Sequence, residues 1–255
     1  MAAIDDVAEL DKPAKTNKRR MPKAEADSKK AATTEPAAVG QQTDSQPTMK
    51  RVLLTSPKGG CGKTELTKNL AVAAAMSGLN VAVADFDRQR TLTRWWKRRP
   101  ESATQIEVYE GSMATAREVY DVNGHDLLLI DTPPGVEDHP EQIKVLISAA
   151  DYVLVPSQPS IADTESVAEW MTFIRSCNRP GAFVLNRINK SAKSSLDIAK
   201  RDLNRSGLLC PIEVPQYTDF DRAARLGVSV LEVRGMSGSE DIQSVWDFLR
   251  LQLSI

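Results

Sequence analysis

A chain of 255 residues, 41% hydrophobic and 26% charged, has room for one α/β domain with an appendage or for two small domains. Its 33 Lys and Arg nearly balance 34 Asp and Glu, and a net charge of −1 excludes a globally basic nucleic-acid coat protein, though not a local basic face. Cys61, Cys177 and Cys210 are too few and too scattered for a disulfide scaffold, and no apolar run nears the roughly 18 residues of a membrane span, so a reducing cytoplasm is the expected setting.

In chain order, residues 1–49 have no Phe, Tyr or Trp and are rich in Ala, Lys, Pro, Thr and Glu. Such a stretch buries too little apolar surface to offset its ordering entropy, and a disordered tail is expected. Within it Met1–Leu10 has the pattern of a short amphipathic helix for a partner, and Lys15–Lys23 is a basic cluster. A plain solvated tail is the alternative. From residue 50 onward, short runs rich in Val, Leu and Ile alternate with longer segments. Arg51–Thr55, Asn80–Asp85, Asp126–Asp131, Tyr152–Pro156, Gly181–Asn186 and Leu208–Val214 read as strands buried on both faces. Lys63–Ser77, Pro140–Ala150, Ser160–Cys177 and Ser191–Ser206 are long enough for crossover helices, and Glu240–Leu253 for a closing helix. No internal repeat is visible. The alternation predicts one α/β domain over residues 50–255, doubly wound, with a mostly parallel sheet and helices on both faces.

The first strand leads into Ser56-Pro57-Lys58-Gly59-Gly60-Cys61-Gly62-Lys63-Thr64-Glu65, followed by a helix-compatible stretch. Glycines let the backbone curl so that successive N–H groups point at phosphate oxygens, with the following helix N-terminus behind them. Lys63 would reach the β- and γ-phosphates and the Thr64 hydroxyl would coordinate Mg²⁺.

Lys58–Thr64 (KGGCGKT) resembles the deviant Walker A motif, KGGxGK[ST], of the ParA/MinD superfamily of ATPases. The resemblance implies that Lys58 crosses the interface of an ATP-bound homodimer to the partner's phosphates, stabilising transition-state charge in trans. Asp85-Phe86-Asp87-Arg88-Gln89 is similar to the family's DxDxQ box, with Asp87 expected to position the attacking water and Asp85 either near Mg²⁺ or structural. Leu127–Asp131 before Thr132-Pro133-Pro134-Gly135 resembles a Walker B strand, placing Asp131 on a Mg²⁺-bound water. Asn186-Arg187 and Pro215-Gln216 match the positions that line the family's adenine pocket, and Val155–Ser160 with Asp163 matches another landmark. The likeness runs from Lys50 to the C-terminus. Two departures stand out: Glu65 replaces a hydroxyl that touches the α-phosphate, and Arg88 replaces the proline of DxDPQ.

What such an ATPase moves is less sharply written. The resemblance to partition-type members implies non-specific DNA binding by the ATP dimer, with Lys193, Lys200, Arg201, Arg205, Arg222 and Arg225 as the expected contacts beside Arg187 and Lys190. Plasmid partition or chromosome segregation over the nucleoid would follow, with slow hydrolysis stimulated by a partner acting through the tail or the dimer surface. A nucleotide-gated positioner of a non-DNA complex, or a recruitment factor in conjugation, is the alternative. A membrane-cycling role of the MinD kind is disfavoured, because Ile242, Val245, Trp246, Leu249 and Leu253 form a stripe suited to a core and Arg250 is the one base of Asp241–Ile255. The cysteine positions disfavour a shared iron–sulfur cluster. Arg88–Arg99 (RQRTLTRWWKRR) holds six bases and two tryptophans, either a second nucleic-acid surface or a helix anchored in the core by Trp. His125 and His139 are expected to be structural or at the surface.

Overall fold

The structure, a computed structural model, describes residues 19–22 and 49–255. The expectations for Met1–Leu10 and for most of the basic cluster lie outside the described residues. Among the described residues nine strands form one sheet: β1 Arg19–Arg20, β2 Lys50–Leu54, β3 Val81–Asp85, β4 Glu107–Glu110, β5 Leu127–Asp131, β6 Tyr152–Ser157, β7 Gly181–Ile188, β8 Leu208–Leu209 and β9 Val214–Pro215. The order is β1-β4-β3-β5-β2-β6-β7-β8, with β9 also on β7, and each pairing is parallel. Helices α1 Lys63–Met76, α2 Thr91–Trp96, α3 Pro140–Ala149, α4 Ile161–Ser176, α5 Lys193–Ser206, α6 Thr218–Leu226 and α7 Ser239–Leu253 connect and cover it.

The two-residue period of a strand divides the core. Val52, Leu54, Val81, Val83, Leu127 and Leu129 face a layer built from α1, α2 and α7, whereas Leu53, Ala82, Ala84, Leu128 and Ile130 face α3, α4 and α5. The α7 stripe Ile242, Val245, Trp246, Leu249 and Leu253 is buried in the first layer. From β2 the chain winds first towards β3 and β4 and later, through β6, to the other side. The crevice beyond the C-terminal end of β2 is therefore a topological switch point, where open α/β sheets bind ligands.

Two expectations need correction. Residues 19–22, assigned to a disordered tail, include an edge strand on β4 and a buried Met21. The strand expected over Leu208–Val214 breaks into β8 and β9 around Pro211, which has no N–H to give a ladder. The strand β4, the helices α2 and α6 and a 3₁₀ segment Met113–Tyr120 complete a fold that the hydrophobic runs alone left open.

Candidate nucleotide site

Between β2 and α1 the backbone curls through left-handed glycines, Gly60 at φ +77° and Gly62 at φ +90°. At Gly62 the requirement is double, because a Cβ there would run into the side-chain amide of Asn186. That amide donates to the Cys61 carbonyl at 2.8 Å, tying the end of β7 to the loop. Lys63 is buried at the start of α1, its ammonium donating to the carbonyls of Lys58 (3.1 Å) and Ser56 (3.4 Å). The Lys63 charge thus lies under the loop whose N–H groups would receive phosphate. Lys58 itself is exposed.

Asp131, at the C-terminal end of β5, is fully buried. Its Oδ2 accepts from the Thr64 hydroxyl at 2.7 Å, while Oδ1 is buried with no partner. Burial pushes its carboxyl up to about 7; the Thr64 hydrogen bond opposes the rise, and the neighbouring Asp85 charge adds to it. An orphaned carboxylate oxygen beside a hydroxyl fits a hydrated Mg²⁺ held chiefly by phosphates and water. Among the described residues no cluster of three or more His, Cys, Asp or Glu side chains could cage a metal.

The Asp85–Asp87 loop divides two roles. Asp85 accepts from the Thr93 amide (3.0 Å) and hydroxyl (2.7 Å) at one oxygen and from the Asp87 amide (3.1 Å) at the other. Its lone pairs hold α2 in place. Burial raises its pKa, and the Thr93 bonds work against that. Asp87 lines a cavity of about 770 Å³ with Gly59, Gly60, Lys63, Thr64 and Thr132. Asn186, Arg187, Pro215 and Gln216 line an adjoining cleft with Tyr217 and Phe220. Arg187 adopts φ +55° at an irregularity in the β7–β9 ladder, and its side chain borders both spaces.

Glu65, the departure from the family pattern, turns along α1. Its carboxylate takes the Lys68 ammonium at 3.1 Å and the Asn69 amide at 2.9 Å. Lys68 lines the cavity, as do Arg98 and Arg225. Lys68 and Arg98 escape a reading of the sequence; the spacing of Glu65 and Lys68, three apart on a helix, was the available signal. The expected DNA contacts separate. Arg225 joins the phosphate cavity, Arg222 is exposed on α6, and Lys193, Arg201 and Arg205 are exposed on α5. Lys200 pairs with Glu213, and Arg205 lies 3.6 Å from Asp202. Trp95 and Trp96 are both buried, donating to the carbonyls of Val228 (3.1 Å) and Ile106 (3.0 Å). They are buried too deeply to stack on bases, which removes the nucleic-acid reading of those two rings. All three cysteines are free, and burial pushes the Cys210 thiol up to about 11.

Known proteins share this fold. A maintenance of carboxysome distribution protein A from Gloeobacter kilaueensis is 28% identical over 194 residues, 74% of this chain and 87% of that protein. Among solved structures, a putative plasmid partition protein from Borrelia burgdorferi B31 bound to AMPPNP superposes with a TM-score of 0.65 at 15% identity, covering 80% of this chain and 99% of that one. The septum site-determining protein MinD from Pyrococcus horikoshii, complexed with Mg-ADP, gives 0.64 at 15% identity over 79% and 96%. The model of the CobQ/CobB/MinD/ParA nucleotide binding domain matches residues 52–230, and the chain belongs to that family.

Proposed function

We propose that the protein is a ParA-like ATPase that binds ATP and Mg²⁺ at the loop Lys58–Glu65 and hydrolyses ATP with water to ADP and phosphate. The observation that carries this reading is the Thr64–Asp131 pair, with its unpartnered carboxylate oxygen, set beside the buried Lys63. Mg²⁺, when bound, neutralises phosphate charge and fixes the phosphate geometry. Thr64 and a water on Asp131 would hold that ion. Lys63 and the loop N–H groups bind the phosphates, Asp87 orients the attacking water, and the base lies against Asn186, Arg187, Pro215 and Gln216. Lys58, exposed at the start of the loop, reaches the nucleotide of a second copy, so that ATP joins two subunits. Hydrolysis is slow until a partner protein stimulates it. Lys58→Ala tests the trans lysine: stimulated turnover and the ATP-dependent dimer should both be lost, and normal stimulated turnover would refute the role.

The dimer binds DNA without sequence preference through Lys193, Arg201 and Arg222, and in that way positions DNA or another large cargo over the nucleoid. Two weak surfaces joined by ATP gain from avidity, so release follows hydrolysis. Co-sedimentation of the ATP-bound protein with random DNA at low salt should disappear in Lys193→Glu with Arg201→Glu. A second reading, an ATP-gated positioner of a protein assembly, is favoured by the neutralisation of Lys200 by Glu213 and of Arg205 by Asp202. Absence of DNA binding by the wild-type ATP dimer would select it.

A further inference from the structure

β1 is the element that nucleotide binding leaves without a task. It lies parallel on the outer side of β4, Arg19 opposite Tyr109 and Arg20 opposite Glu110. The rungs continue inward, Tyr109 to Ala84 to Ile130 and Glu110 to Asp85 to Asp131. Arg20, Glu110, Asp85 and Asp131 therefore stand in one row across four strands. Met21 follows that row at the edge from which the Asp85–Asp87 loop leaves the sheet. It is 4% exposed and shares an apolar cluster with Phe86, Tyr109 and Met113. Phe86 lies between the two aspartates, buried so closely against Gly111 that a Cβ there would stand 2.9 Å from its ring.

The near end of β1 has its own anchor. Glu107 meets the Arg19 guanidinium at 3.1 Å and also receives the Tyr109 hydroxyl at 2.9 Å and His125 Nε2 at 2.7 Å. Arg19 and Met21, two residues apart, fall on one face of an extended segment. An uncovered sheet edge is a template for strand addition, with the main chain giving affinity and alternate side chains giving selectivity. A two-residue strand is far shorter than the usual five or six, and it is suited to exchange.

We propose that the outer edge of β4 is a strand-addition site for the Arg-Arg-Met segment, filled in cis by residues 19–22, and that its occupation holds the Asp85–Phe86–Asp87 loop ready for hydrolysis. Met21 is then a positioning residue, acting through Phe86 on Asp87, and a partner that draws the N-terminal segment away slackens the ATP site. The coupling rests on the reading of Asp87 as the residue that orients water; the docking does not.

The test uses the full chain. Trypsin cleavage after Arg19 and Arg20, followed by mass spectrometry and normalised to the rate for a synthetic peptide of the same variant sequence, should be about tenfold faster in Met21→Asp, because cleavage samples the undocked population. Met21→Leu should keep wild-type protection. Arg19→Glu and Glu107→Arg should each speed cleavage after Arg20, and the two together should restore its protection. In Met21→Asp the kcat for ATP should fall about threefold with KM unchanged, and an excess of a synthetic peptide of residues 15–24 should recover it. Equal cleavage in wild type and Met21→Asp would overturn the docking, and protection that depends on protein concentration would overturn its assignment in cis. Faster cleavage with unchanged kcat would overturn the coupling. Absence of ATP turnover in the wild type would defeat the ATPase reading and the coupling with it, while the protection of Arg20 would still decide the docking.

Discussion

Replacing Gly62 with alanine should damage the phosphate loop through two separable effects. A non-glycine residue at φ +90° costs about 1–2 kcal/mol from its own backbone. The new methyl group also displaces the Asn186 amide from the Cys61 carbonyl, which it meets at 2.8 Å. Because Asn186 is 4% exposed, the displaced amide finds no water, and the loss is about 1–3 kcal/mol. Gly62→Ala should thus destabilise by about 2–5 kcal/mol. Asn186→Ala loses the same hydrogen bond by itself. In the double variant that bond is lost once, so the combined effect should fall short of the sum by about 1–3 kcal/mol. Gly60, at φ +77° with open space where its Cβ would go, is the control: Gly60→Ala carries strain alone and adds to Asn186→Ala. Urea unfolding of wild type and these single and double variants measures the values, and binding of a fluorescent ATP analogue reads the same cycle at the site. Additivity of Gly62→Ala and Asn186→Ala would refute the claim that the amide fixes the loop.

Other consequences follow from the charges around the cavity. Burial raises the Asp131 carboxyl from 3.8 to about 7, so in EDTA its protonation should favour the folded chain below pH 4, with that advantage lost as pH rises through 7. Asp131→Asn should therefore gain stability over wild type between pH 5 and pH 8, seen in paired denaturation curves. The gain should reach a few kcal/mol, because each pH step between the unfolded and folded pKa values contributes about 1.4 kcal/mol. Glu65→Gln should release the Lys68 ammonium towards the phosphates, tightening ATP binding in a fluorescence titration while lowering apo stability by about 1–3 kcal/mol. Glu232→Ala should cost about 3–5 kcal/mol in thermal unfolding by stranding the buried Arg99, and Arg99→Leu with Glu232→Leu should cost less.

The phosphate loop was legible because glycine, lysine and threonine at fixed spacing report a backbone shape and a charge position, both local properties. The central strands were legible for a similar reason: burial on both faces leaves unbroken Val, Leu and Ile. β4 has two glutamates in four residues and lies next to the sheet's edge, where one strand of two arginines covers it. Neither β1 nor β4 carries a hydrophobic run to read. The convergence of Lys68, Arg98 and Arg225 on one cavity needed α1, the end of α2 and α6 to be placed in space. The hydrogen bonds that Asp85 makes to Thr93, eight residues on, have no motif to announce them.

Glu65, half-buried, is also the first member of a continuous hydrogen-bonded chain that runs into the interior, and this explains how a carboxylate is accommodated beside the cavity. The Asn69 amide that holds it has an oxygen that accepts from the Ser229 hydroxyl at 2.7 Å and the Val230 amide at 3.1 Å. The Ser229 amide donates to Glu232 at 2.7 Å, and Glu232 takes both ends of the Arg99 guanidinium at 2.7 and 3.1 Å. Arg99 in turn donates to the carbonyls of Gly227 and Thr104 and lies over the Trp95 ring. Every link is a matched donor and acceptor in a low-dielectric interior, where a satisfied network is rigid and a broken one is costly. The chain joins α1 to the segment carrying Arg98 and to the loop after α6, so it fixes the far wall of the cavity relative to the phosphate loop. Lys58 and Asp87 stand outside this network, Lys58 exposed at the start of the loop and Asp87 on the cavity wall.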